Sequence, residues 1–285
     1  MVILKKFLQI IGLCSFIVIS FFYTDKVMLV VREEDKIMVN IRSVRDTLKV
    51  KPVDAVIDRD TIVPGINGRD VDVEKSYKIM KNNGIFREND IVYRILQPSV
   101  SVNNHKDKYI ISGNAGKRAV SFIFILDNDR YLDKLSKLLD YKDVVGNYFV
   151  DYNFLISNST LIKEMSQCEI YYYGNNGKYT PDSLLFANNL ISGISNNYSD
   201  LCLVLKKDKD IIDLCSKNSL YTILPSIVVG KNPYMEAKNS VKYGDMILFY
   251  MNQDTINELS IVIDYIRGKG IKIVGLSELL SEENV

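Results

Sequence analysis

The run KRAVSFIFILDND at residues 117–129 is apolar until it meets Asp127, Asn128 and Asp129. Carboxylates at the end of a strand are the residue type that holds a divalent cation or works as acid and base. The same letters also make a polar turn, in which Asp127 ends the strand and Asn128 or Asp129 caps a helix beginning near Arg130. The turn carries more weight, because partners for a reactive pair are scarce. His105 is the chain's single histidine and sits in the polar connection VNNHKDK, where a solvated loop is expected. A two-imidazole metal centre cannot be built from one histidine. Carboxylates alone would suit Ca²⁺ or Mg²⁺ better than a zinc-type hydrolytic centre.

Other chemistries fail on spacing. The stretch GNAGKR, residues 113–118, has too few residues between its glycines for a phosphate-binding loop, and it precedes a strand where such a loop should follow one. No G-x-S-x-G elbow occurs. Cys14, Cys168, Cys202 and Cys215 form no C-x-x-C pair, so a thiolate zinc site is not expected. Cys202 and Cys215 could meet if a strand packs on the helix that follows it, but two free buried cysteines are the expectation. In EIYYYGNN, Tyr171 and Tyr173 point to one side of a strand and Tyr172 to the other, which leaves Tyr173 at the strand's end within reach of a pocket.

The elements that would position these residues follow from periodicity. Strand-like runs at 119–126, 144–150, 169–173, 201–205, 221–229, 246–250 and 271–274 alternate with amphipathic helical patterns. Seven such units in a short span predict a small α/β barrel with ligands beyond the carboxyl ends of the strands. Before it, residues 51–116 read as a small α+β region. Its stretch DVEKSYKIMKNNG offers Asp72 as helix cap, Val73, Tyr77 and Met80 as one apolar face, and Gly84 as a stop. At 25–50, Ile37, Ile41, Val44 and Leu48 mark one apolar helix stripe, read as a helical stalk or as an amphipathic helix lying on the body. Residues 7–24 carry no charge and follow Lys5 and Lys6. They predict a transmembrane anchor with residues 1–6 as a cytoplasmic tip and the remainder outside the cytoplasm. A small-x-small cleavage site is missing. The formal net charge of +1 leaves no electrostatic footprint for nucleic acid.

The C-terminal stretch YGDMILFYMNQDTINELSIVIDYIRGKGIKIVGLSELL resembles the end of the polysaccharide deacetylase family, the NodB-homology domain. There a glycine precedes an apolar strand, followed by a helix, a KG turn, a last strand and a Leu-rich helix. KRAVSFIFILDND looks like that family's first motif strand, VVGNYFVDYNFL like its second, and SQCEIYYYGNN like the strand leading into its histidine motif. The resemblance covers residues 117–280 and implies a distorted (β/α)7 barrel. It also implies hydrolysis of acetyl groups on glycans, through a divalent metal held by one Asp and two His with a second Asp as base.

Those letters are gone. Placed without a gap, the family's Asp-Asp pair falls on Phe124 and Ile125, its His-x-x-x-His pair on Tyr173 and Gly177, and its late histidine on Tyr250. A shift of two or three residues would bring Asp127 and Asn128 onto the acid pair. The Arg-x-Pro motif has no counterpart, because no arginine lies between Arg130 and Arg267. The expectation is a membrane-anchored, extracytoplasmic pseudoenzyme in which 117–285 forms a deacetylase-like barrel without catalytic residues or metal. It would bind a cell-envelope glycan or an envelope protein, with Phe124, Ile125, Asp127, Tyr173 and Tyr250 as cleft positions. Alternatives are an active deacetylase that recruits Asp127 or Asp129, and a purely structural envelope protein.

Overall fold

Apolar periodicities of 3.6 and 2 resolve, in a computed structural model, into short strands and amphipathic helices. The structure describes residues 12, 14–20, 32–165, 168–195 and 199–283. In chain order the first elements are α1 (Lys36–Leu48), β1 (Val56–Asp58), β2 (Thr61–Val63), β3 (Gly68–Val71), α2 (Val73–Asn83), β4 (Tyr93–Leu96) and β5 (Tyr109–Ile110). Then follow β6 (Ala119–Leu126), α3 (Leu132–Tyr141), β7 (Gly146–Val150), α4 (Tyr152–Ser157), α5 (Ser159–Glu164), β8 (Cys168–Tyr172), α6 (Pro181–Ser195), β9 (Leu201–Leu203) and α7 (Lys209–Lys217). The last are β10 (Tyr221–Ile223), β11 (Ile227–Val229), α8 (Pro233–Ser240), β12 (Met246–Phe249), α9 (Gln253–Gly268), β13 (Lys272–Ile273) and α10 (Leu276–Leu280).

The chain divides into two compact units. One joins Gly68–Leu96 to the chain before Pro52, and the other joins Pro52–Asn67 to the chain from Gln97 onward. In the first, Asp72 caps α2 by accepting from Lys75 N, and Gly84 ends it in the left-handed region, as expected. The α1 stripe is not the surface of a free stalk. Ile41 is fully buried with Val71, Met80 and Ile91, and Ile37, Val44 and Leu48 pack around them. A helix this short gains its stability from such packing, which a solitary stalk would lack. Arg45 and Arg94 both donate to Asp70 beneath α1, at 2.6 Å from one of its carboxylate oxygens.

In the second unit, five parallel strands lie in the order β11-β12-β6-β7-β8, and β13 pairs with β6. A second sheet runs β1-β2-β5-β10-β9, parallel except where β1 turns back on β2. The segment expected to precede the barrel therefore supplies three strands of this sheet. Between β8 and β9 side chains make the bridge: Tyr172 N donates to Ser199 Oγ, and Leu203 N donates to Tyr179 Oη.

Side-chain alternation separates two cores. Ile123, Phe149, Tyr171, Leu203, Ile223, Met246 and Leu248 face an inner core shared by both sheets. Val120, Phe122, Phe124, Tyr148, Tyr172 and Phe249 face outward beneath the helices. The fold is thus α/β with mostly parallel strands around an inner core.

Two expectations change. The single strand expected at 221–229 is two, β10 and β11, in different sheets. The break falls at Leu224-Pro225-Ser226, where proline restricts the preceding residue and offers no N–H to a ladder. Cys202 and Cys215 are not free but disulfide-bonded, because β9 and α7 bring their Cα atoms to 6.5 Å. Among the described residues no helix is long and apolar enough to cross a membrane. Of the anchor expected at 7–24, residues 12 and 14–20 are described as helical, and the remainder lies outside the described residues.

Candidate functional site

The carboxyl ends of β6, β7, β8 and β12 lie side by side, so the residue after each strand meets its neighbours at one mouth. Register fixes the row. Leu126 pairs with Val150, Val150 with Tyr172, and Phe249 with Phe124. Period-two alternation then decides which side chains look inward. Ile125, Asp127, Asp151, Tyr173 and Tyr250 share the inner parity, and Ile125 and Tyr173 pack on the inner core.

Phe124 has the opposite parity. It is fully buried, its ring centroid 5.6 Å from that of Tyr148 and 5.9 Å from that of Phe249. The cleft position expected for Phe124 is therefore a packed position of the outer core, while its neighbour Ile125 faces the inner one. Asp127 is exposed just beyond β6 and accepts from Asn128 Nδ2 at 2.5 Å. Asn128 Oδ1 in turn accepts from Arg130 N, which makes a local turn. Neither Asn128 nor Asp129 caps the following helix. It starts later, at Leu132, with no side-chain cap. His105 sits half-buried after a short helical turn at Val102–Asn104, away from this row.

Tyr173 is the centre of the mouth. Burial raises its phenol above the ordinary value, and Tyr250, Asp127 and Asp151 raise it further, in that order. The hydroxyl is consequently neutral and available as a hydrogen-bond donor. Gly177, with φ of +76°, abuts the ring so closely that a Cβ there would lie 3.2 Å from the Tyr173 oxygen. Positions 173 and 177, four residues apart, therefore lie close in space, one a phenol and the other a glycine.

Asp151 was not singled out from sequence. It is buried, and it accepts from Asn153 N at 2.9 Å and from Asn176 N at 2.7 Å. It caps α4 and ties the 174–178 loop to the end of β7. An aspartate between an apolar strand and a helical pattern was the available signal.

A divalent metal fits poorly here. Tyr173 offers a phenol that resists ionisation, Gly177 offers no donor, and both carboxylate oxygens of Asp151 already hold backbone amides. Among the described residues no three of His, Cys, Asp and Glu are grouped to hold a metal ion.

Comparison with profiles of known protein families finds no match. The chain is similar to the uncharacterised protein YlxY of Bacillus subtilis, 27% identical over 256 residues that cover 82% of this chain and 80% of that one. Among solved structures it is similar to BA3943 of Bacillus anthracis, described as a CE4 family pseudoenzyme. The TM-score is 0.68 at 20% identity, covering 88% of this chain and 97% of that one. It is also similar to PdaA of Bacillus subtilis, a family 4 carbohydrate esterase. Here the TM-score is 0.53 at 16% identity, over 60% of this chain and 84% of PdaA. The chain accordingly has the fold of the family 4 carbohydrate esterases, the polysaccharide deacetylases.

Proposed function

We propose that this chain is a membrane-anchored, extracytoplasmic pseudoenzyme that holds a cell-envelope glycan at the mouth without hydrolysing it. The observation that carries this reading is the crowding of position 177 by the neutral Tyr173 phenol, which leaves little room for a side chain where the resemblance would put a second metal ligand. Without a Lewis acid no acetyl carbonyl is polarised and no water is activated. What remains is a row of aromatic and carboxylate side chains suited to sugar rings, with Tyr250 exposed. BA3943 carries the same description of pseudoenzyme within the same fold. Placement outside the cytoplasm is supported by the uncharged segment at 7–24, and by the Cys202–Cys215 disulfide, which persists in an oxidising compartment.

Calorimetric titration of residues 25–285 with chitotetraose tests the binding half of this reading. Tyr173→Ala and Tyr250→Ala are each expected to weaken binding by about 1–2 kcal/mol. Unchanged affinity in both variants would remove the mouth from the reading.

A further inference from the structure

A groove on the outward side of β8 has features that the mouth does not use. It encloses 680 Å³ and is lined by Tyr152, Tyr172, Asn175, Asn176, Ser183 and Phe186. That volume is within the range of about 300–1,000 Å³ typical of small-molecule sites. Two observations point to a ligand. Tyr172 is 1% exposed, yet among the described residues its hydroxyl has no hydrogen-bond partner. Burial raises the pKa of this hydroxyl, and the nearby Ser183 side chain offsets part of that rise. A buried hydroxyl left unpaired is costly, and a ligand that pairs it recovers the loss.

The second observation is Phe186, a phenylalanine 50% exposed on α6 at the groove's rim. Its ring is held edge-to-face against Tyr152 at 6.3 Å, and Tyr152 is held likewise against Tyr172 at 6.4 Å. The aromatic wall is therefore fixed before any ligand arrives, which lowers the entropy cost of binding. Asn175 and Asn176 supply side-chain amides beside it. The two charged lining residues, Lys178 and Asp182, have opposite signs, so the groove selects no net charge.

We propose that this groove is a second carbohydrate site, which takes a neutral pyranose ring with Phe186 as its stacking platform and the Tyr172 hydroxyl as its buried polar contact. The inference rests on the reading of the chain as a glycan-binding protein. The 174–178 loop stands between the two sites: Asn175 and Asn176 line the groove, and Gly177 abuts Tyr173 in the mouth.

The test is calorimetric titration of the same protein with chitotetraose, in Phe186→Ala and Tyr172→Phe compared with Tyr250→Ala. Tyr172→Phe deletes only an unpaired oxygen, so the variant folds, and its thermal midpoint reports that directly. Loss of tenfold or more in affinity in both groove variants is the expected result. Unchanged affinity in both overturns the groove, as does absence of binding to wild type. Weakening in Tyr250→Ala alone also overturns the groove and leaves the mouth as the glycan site. Weakening in the groove variants alone upholds the groove and removes the mouth.

Discussion

Tyr173 and Gly177 stand four residues apart and lie close in space, one a neutral phenol and the other without a side chain. That contact predicts how a metal site could be recreated. In Tyr173→His/Gly177→His the ring that crowds residue 177 is gone, and two imidazoles face Asp127 across the mouth. Zn²⁺ binding tightened by at least about tenfold over wild type is expected by calorimetry. The histidine at 177 would occupy a left-handed backbone conformation at a cost of roughly 1–2 kcal/mol, readable as a lowered thermal midpoint. Unchanged Zn²⁺ affinity would mean that the two positions are not placed to share an ion. The two tyrosines of the mouth and the position of Asp127 at a strand end were legible in the sequence. Which of Phe124 and Ile125 looks inward was not. Seven of the eight β6 residues are buried, on both faces of the strand, so apolar letters run continuously and period two leaves no trace in them. Only pairing with β7 and β12 fixes the parity.

At the scale of elements, β9 and α7 are joined by Cys202–Cys215, thirteen residues apart, with both side chains fully buried. Removing the cross-link in Cys202→Ala/Cys215→Ala is expected to cost about 2–3 kcal/mol, seen as a lower urea midpoint. Sequence alone left this pairing open, because it depends on how a strand packs on its helix. The break at Leu224-Pro225-Ser226 was hidden for a related reason: the apolar letters on either side of Pro225 belong to different sheets.

The other element-scale prediction concerns α1, which sits on the buried Asp70. Hydrogen bonds from Arg45, then from Arg94, hold that carboxyl well below the usual carboxylate range. The unfolded chain has the higher pKa, roughly 3.9, and so takes up the proton first on acidification. The stabilisation is therefore complete at neutral pH and is lost progressively as pH falls below about 5. Wild type is expected to lose thermal stability more steeply between about pH 5 and pH 3 than Asp70→Asn, as followed by circular dichroism. Parallel profiles would show that the two arginines do not act through this carboxylate.

Across the whole molecule, the order of strands and helices from residue 119 onward was readable because each unit is short, apolar and bounded by polar turns. The joining of 52–67 and 97–116 to the same unit was not, since β5 is only two residues long and its partners are distant in sequence. The fold is that of the deacetylases, while among the described residues no three of His, Cys, Asp and Glu are grouped to hold a metal ion. The most direct measurement of that claim is acetate release by residues 25–285 from chitotetraose and peptidoglycan with Zn²⁺, Co²⁺ or Mn²⁺ supplied. No release above the metal-only control is expected. Metal-dependent release that disappears in Asp127→Ala would contradict it.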